Sequence, residues 1–160
     1  MAGFTSLAHV ALRAKNLEKT LDFYINKMGF KEILRLNWHD GNLWLVYLKV
    51  TDTQYIEVFP GGVGDKGTGK EATGFNHYCL TVEGIEQVLD DLVKRGVVIT
   101  RELRKGPDGN RQAWVEDPDG VRIELMEMNN DCIQFEAVRK MKQGGKPVVV
   151  GSDRMPEPVR

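Results

Sequence analysis

Four residues in this chain are of types that hold divalent ions and stand where such types are out of place: His9, Glu57, His77 and Glu124. Each glutamate interrupts an apolar run, Tyr55-Ile56-Glu57-Val58-Phe59 in one case and Arg122-Ile123-Glu124-Leu125-Met126 in the other. A buried carboxylate without a partner costs several kcal/mol or neutralises itself by a shifted pKa. It therefore needs a cation, a metal or a wet strand face. His9 and His77 open runs of similar apolar character, His9-Val10-Ala11-Leu12 and His77-Tyr78-Cys79-Leu80. Taken singly, each has an ordinary explanation, a hydrogen-bonded strand histidine or a solvated strand glutamate. Taken together they recur in register. Two imidazole nitrogens and two carboxylate oxygens make a first shell suited to one divalent ion, with Ni, Co or Zn first and Mn or Fe also possible. An octahedral ion so held keeps two positions for waters or a chelating substrate. The third histidine, His39, follows Trp38 in an expected hairpin turn, has no counterpart, and reads as exposed.

The register comes from an internal repeat. Writing the segment from His77 beneath that from His9 pairs Leu12 with Leu80, Leu17 with Ile85, Glu18 with Glu86, Leu21 with Leu89 and Asp22 with Asp90. One residue is lost near Met28, after which Gly29 falls on Gly96 and Glu57 on Glu124. In the first copy, Leu7 to Leu12 predicts a short, largely buried strand, and Leu17, Leu21, Tyr24 and Met28 recur at helical spacing behind Asn16 as N-cap. Strands are expected at 31–36, 43–50 and 54–59, with Asp40-Gly41-Asn42 as turn chemistry. The second copy repeats this, with Ile85, Val88, Leu89 and Leu92 as the helix face and strands at 97–103, 111–116 and 121–127. The turn Asp117-Pro118-Asp119-Gly120 joins the last two. The fold class is thus α+β: two βαβββ modules, over 5–60 and 75–128, within one domain of residues 1–128. Residues 61–74 are a Gly-rich linker, and 129–160 form a C-terminal helix, carrying Ile133, Val138 and Met141, with an extended tail.

Bulk properties narrow the function. A chain of 160 residues with 41% hydrophobic content supports one core, and a formal charge of −1 gives no reason to expect nucleic acid or an acidic membrane surface. The longest apolar run, Leu43 to Leu48, is far short of a span, and the first ten residues lack the pattern of a secretory signal. Cys79 and Cys132 make no disulfide framework, so a reduced, cytoplasmic protein is expected.

The segments HVALRAKNLEKTLDFYINKMGF, YIEVF, NHYCLTV and EDPDGVRIELME resemble the vicinal oxygen chelate superfamily, and within it the glyoxalase I (lactoylglutathione lyase) and bleomycin-resistance branch. The resemblance runs from Leu7 to Met128. It implies curved mixed sheets forming a cup around one metal, with the family's ligand positions falling on His9, Glu57, His77 and Glu124. It also implies a homodimer, because a second subunit completes the cup in many members. The ligand set favours the lyase branch. Extradiol dioxygenases and fosfomycin-modifying members need no carboxylate at the Glu57 position, methylmalonyl-CoA epimerases usually carry glutamine there, and bleomycin-binding relatives generally lack the full set.

The function implied is a metal-dependent lyase or isomerase, moving a proton beside a carbonyl of a chelated α-hydroxycarbonyl or hemithioacetal. Glu57 or Glu124 would be the general base. The alternatives are a dioxygenase or epimerase on the same metal, or a non-catalytic small-molecule binder. A glutathione adduct is one implied substrate. Arg13 matches the arginine that pairs with a glutathione carboxylate, but the asparagine expected four residues after the second ligand is Gly61. Phe59 and Trp114, with Trp44 and Met126, are expected to line an apolar part of the cup. Arg101, Arg104, Lys105 and Arg111 read as a solvated basic rim.

Overall fold

Alternating apolar positions become strands wherever a sheet neighbour can bury one face, and here eight do so. The computed structural model describes residues 3–64 and 73–149. The first module comprises β1 (His9–Arg13), α1 (Leu17–Leu21), β2 (Lys31–Asn37), β3 (Leu43–Lys49) and β4 (Tyr55–Phe59). The second comprises β5 (Tyr78–Thr81), α2 (Ile85–Lys94), β6 (Ile99–Lys105), β7 (Arg111–Glu116) and β8 (Arg122–Glu127). A third helix, α3 (Ile133–Lys142), follows. Each module folds into a four-stranded sheet with the same order, β1-β4-β3-β2 and β5-β8-β7-β6. Both sheets are mixed: β1–β4 and β5–β8 run parallel and the remaining pairs antiparallel. The α+β class and the duplicated strand order agree with the sequence. Of the Gly-rich linker, residues 65–72 lie outside the described residues, as do 150–160 of the tail.

One apolar cluster unites the modules, drawing Leu12, Tyr24, Val46 and Ile56 from the first and Tyr78, Leu92, Val115 and Ile123 from the second. Within each sheet the residues at 56 and 58, or 123 and 125, face this core, so Glu57 and Glu124 necessarily face away from it. Gly29 and Gly96 end the helical stretches at φ +86° and +78°, where a Cβ would be strained.

Two expectations need correction. The first strand begins at His9 rather than Leu7, and it is mostly exposed instead of largely buried, because β1 has a neighbour on one side only. The first helix is α-helical only to Leu21 and then widens into a π-helical turn over Asp22–Lys27, with Met28 N donating to Phe23 O at 2.8 Å. Phe23 and Tyr24, adjacent within that turn, are both buried in the core. The C-terminal helix expected around Ile133, Val138 and Met141 is present as α3, which buries none of its residues and leaves Phe135, Val138 and Met141 exposed. It is anchored at its N-terminus instead: buried Asn110 donates to Asp108 and Gln134, and accepts from Asn129 N at 2.9 Å.

Two acidic loop residues clasp the modules together. Asp117 accepts from the Tyr24 hydroxyl at 2.9 Å and from the N–H groups of Asp119 and Val121, while Tyr78 donates to Tyr24 at 3.0 Å. Asp119 accepts from Thr20 Oγ1 at 2.8 Å and from Lys15 N. The motif Asp117-Pro118-Asp119-Gly120 therefore does its work as a joint between halves. Burial pushes the Asp117 carboxyl above its ordinary value despite those donors. Burial, with Tyr78 and the Asp117 charge, raises the Tyr24 phenol well above its own.

Candidate metal centre

Parallel pairing of β1 with β4 sets Ala11 opposite Glu57 and His9 opposite Tyr55, so His9 is one step along the same face as Glu57. The imidazole reaches back to it, with His9 Nε2 3.7 Å from Glu57 Oε2. The second module repeats the arrangement: Cys79 is opposite Glu124, and His77 Nε2 lies 3.3 Å from Glu124 Oε2. Both carboxylates are only 7% exposed. Two ligands at about 2.1 Å and right angles around one ion are about 3 Å apart, so each pair fits two adjacent positions of an octahedral shell, half of a four-ligand protein set.

The four groups do not converge within one chain. Among the described residues, no three metal-binding groups come together. The four expected ligands lie in this chain as two matched pairs on separate sheets. The reason is topological: β1 and β5 are edge strands of different sheets. Both histidines do line one groove of about 690 Å³ between those edges, with Val10, Tyr55, Phe75 and Cys79 also on its walls.

The neighbours of each pair were invisible to motif reasoning. Asn76 Oδ1 receives Arg122 Nη1 at 2.9 Å and lies 2.7 Å from His77 Nδ1. A guanidinium can only donate, so the amide has turned its oxygen this way and His77 Nδ1 must carry the proton. Its Nε2 is then left with a lone pair directed to the Glu124 side, the tautomer a metal ligand needs. A hydrogen bond to Glu57 raises the Tyr47 phenol above its ordinary value. The Cys79 thiol is pushed up to about 12 by burial and by the charge and hydrogen bond of Glu124, which keeps it a protonated donor. The repeat itself could have signalled Tyr47, since it falls on Trp114 in the same alignment that matches the glutamates.

Of the expected substrate contacts, Trp114 is nearest the pair, its ring 4.6 Å from that of His77. Phe59 follows Glu57 on the same face, and Trp44, left without a ladder partner by a register shift, lies 6.4 Å from it. Arg13 stands over the Phe59 ring at 5.4 Å but donates to Pro60 O at 3.0 Å, so part of its hydrogen-bonding capacity is taken by backbone. The expected basic rim divides: Arg111 is tied to Glu86 and Glu127, while Arg101 faces Trp114.

Comparison with known proteins agrees with this geometry. The family described as the Glyoxalase/Bleomycin resistance protein/Dioxygenase superfamily matches residues 6–125. The chain belongs to that superfamily. Among its superfamily relatives, a lactoylglutathione lyase of Neisseria meningitidis is 30% identical over 136 residues, covering 81% of this chain and 97% of that protein. The lactoylglutathione lyase of Escherichia coli O157:H7 is 31% identical over 127 residues, covering 76% and 91%. A solved glyoxalase family protein from Enterococcus faecalis superposes with a TM-score of 0.67 at 31% identity, over 78% of this chain and 98% of that one. The superfamily's own description spans enzymes and binding proteins, so membership leaves the reaction to be argued from the site. No described helix is long and apolar enough to cross a membrane.

Proposed function

We propose that this protein is a metal-dependent lyase or isomerase of the glyoxalase I type, working as a homodimer. In that assembly His9 and Glu57 of one protomer share a divalent ion with the partner subunit's His77 and the partner subunit's Glu124. The observation that carries this reading is the pair of equivalent half-shells, 3.7 and 3.3 Å across, each beside an edge strand open to pairing. Half a shell binds a divalent ion poorly, and two from symmetry-related copies make a full one.

Bound there, the ion would act as a Lewis acid toward two adjacent substrate oxygens and stabilise the negative charge that develops as a C–H proton leaves. The protein's part is acid–base. Glu57 or Glu124 takes the proton from one carbon and returns it to the neighbouring one. Asn76 keeps His77 in its ligating tautomer, and Tyr47 and Cys79 stand opposite Glu57 and Glu124 in register, each bringing a protonated group to one carboxylate. The apolar ground under both carboxylates limits competing water.

The test is metal content together with turnover. The purified protein should hold close to one ion per chain, and should convert the methylglyoxal–glutathione hemithioacetal, or exchange a carbon-bound proton of a related α-hydroxycarbonyl with solvent. Both properties should vanish in His77→Ala and Glu124→Gln. A metal-free protein that binds aromatic ligands equally well in Glu124→Gln would overturn the reading in favour of a binding module.

A further inference from the structure

The duplication provides an internal control, because equivalent positions of the two sheets can be compared on the same backbone. Across the first sheet, the row through Glu57 reads Leu34, Tyr47, Glu57, Ala11. Across the second, the row through Glu124 reads Arg101, Trp114, Glu124, Cys79. One step along, Tyr55 beside Glu57 becomes Arg122 beside Glu124. The two replacements that change charge thus fall on either side of Trp114. In the first module the corresponding contact is an edge-on pair of Tyr47 and Tyr55 at 6.1 Å, next to a Leu34 that is 40% exposed. In the second, the Arg122 and Arg101 guanidiniums stand 4.7 and 5.7 Å from the centre of the Trp114 ring.

Two cations gathered over one ring repel each other, and a cation–π contact offsets only part of that. The nearby carboxylates do not neutralise them. Glu124 is occupied with His77 and Cys79. Glu116, opposite Arg122 in register, is exposed and makes no ion pair, and neither arginine has one among the described residues. The indole Nε1 of Trp114, in a residue only 8% exposed, is buried and has no acceptor among the described residues. Arg122 Nη1 donates to Asn76 Oδ1 at 2.9 Å, but that amide is neutral, so both guanidinium charges stay uncompensated beside one ligand pair, next to an indole N–H that has no acceptor among the described residues.

We propose that Arg101 and Arg122, held over Trp114, form a subsite for an oxyanion, a carboxylate or phosphate, carried a few bonds from the chelating oxygens of the substrate. The proposal rests on the metal reading for the position of those oxygens, and adds that the substrate is an anionic chelate read by the second module. The first module then supplies the apolar wall, where Leu34, Leu36, Trp38 and Trp44 are exposed.

The experiment uses the metal-free, full-length protein and follows the three tryptophan indole N–H resonances, with Trp114 identified by its loss in Trp114→Phe. Titration with inorganic phosphate, and separately with succinate, should shift the Trp114 signal saturably and leave those of Trp38 and Trp44 in place. Whichever anion binds more tightly names the group. Arg101→Gln, whose side chain touches neither histidine nor glutamate ligand, should weaken that binding roughly tenfold or more, the worth of one charge-assisted hydrogen bond. Arg101→Lys should recover part of it. The absence of a saturable Trp114 shift with either anion, or equal affinity in Arg101→Gln, would overturn the proposal. Elemental analysis of the metal-loaded wild type separates the two readings: a chain that never holds metal but shows the Trp114 response refutes the metal centre alone.

Discussion

A centre divided between two chains predicts complementation between inactive variants. One variant carries His9→Ala and Glu57→Gln, the other His77→Ala and Glu124→Gln. Within each homodimer both sites keep only one half-shell, the 3.3 Å pair in the first variant and the 3.7 Å pair in the second, so neither should retain metal or activity. Mixing them in equal amounts and allowing subunit exchange makes about half of the dimers mixed, and each mixed dimer has one complete site and one with no ligands. Recovery should therefore approach about a quarter of wild-type metal and turnover, with KM unchanged because the surviving sites are intact. Metal is measured by elemental analysis after dialysis, turnover with the hemithioacetal, and exchange by native mass spectrometry of isotopically distinct protomers. Demonstrated exchange without recovery would refute the shared shell. Full metal in either parent variant would refute the four-ligand set itself.

Other consequences can be checked separately. Asn76→Ala removes the acceptor for His77 Nδ1, and should lower metal affinity about 10- to 100-fold with little change in thermal stability. Asp117→Ala strands the Tyr24 hydroxyl and two N–H groups in the joint between modules, so urea unfolding should show a loss of about 2–4 kcal/mol. The same residue gives a pH signature. Its carboxyl is raised in the folded state by burial, so its contribution is complete below the ordinary Asp value and declines as pH rises through the raised one. The stability difference between wild type and Asp117→Asn should therefore shift against the wild type as the pH rises above the ordinary Asp value. Asn110→Ala cuts the ties among Asp108, Asn129 and Gln134, and faster amide exchange should then be confined to α3 and the loop before it.

What the sequence revealed was whatever recurs. The duplicated apolar period and paired Gly29 and Gly96 led directly to two sheets of identical order, and the polar exceptions to that period were Glu57 and Glu124, both buried on the face away from the core. What it concealed was whatever depends on three-dimensional closure. Whether β1 pairs on one side or two is not written in its own residues, so an exposed edge was read as a buried strand. The π-helical turn leaves no mark in the spacing of Leu17, Leu21, Tyr24 and Met28, and the role of Asp117 depends on a tyrosine ninety-three residues away. Separation of the ligands into two pairs follows from the same edges.

The repeat also shows where function has broken symmetry. A duplicated scaffold with identical sheet order gives each half equal title to the metal, and on that account His9 and Glu57 match His77 and Glu124. Departures from equivalence must then come from demands other than folding. The packed face has diverged conservatively: Ile56 answers Ile123, Val58 answers Leu125, and Leu48 answers Val115, all buried. The opposite face has not, for Leu34 answers Arg101 and Tyr55 answers Arg122, exchanges that no core requires and that place two cations on one ring. An asymmetric substrate of the proposed kind would account for this pattern, because two chelating oxygens can be shared equally by the matched ligand pairs while its remaining groups cannot. One side of the molecule must accommodate its charge and the other its apolar part, and the divergence between the two sheets has that form.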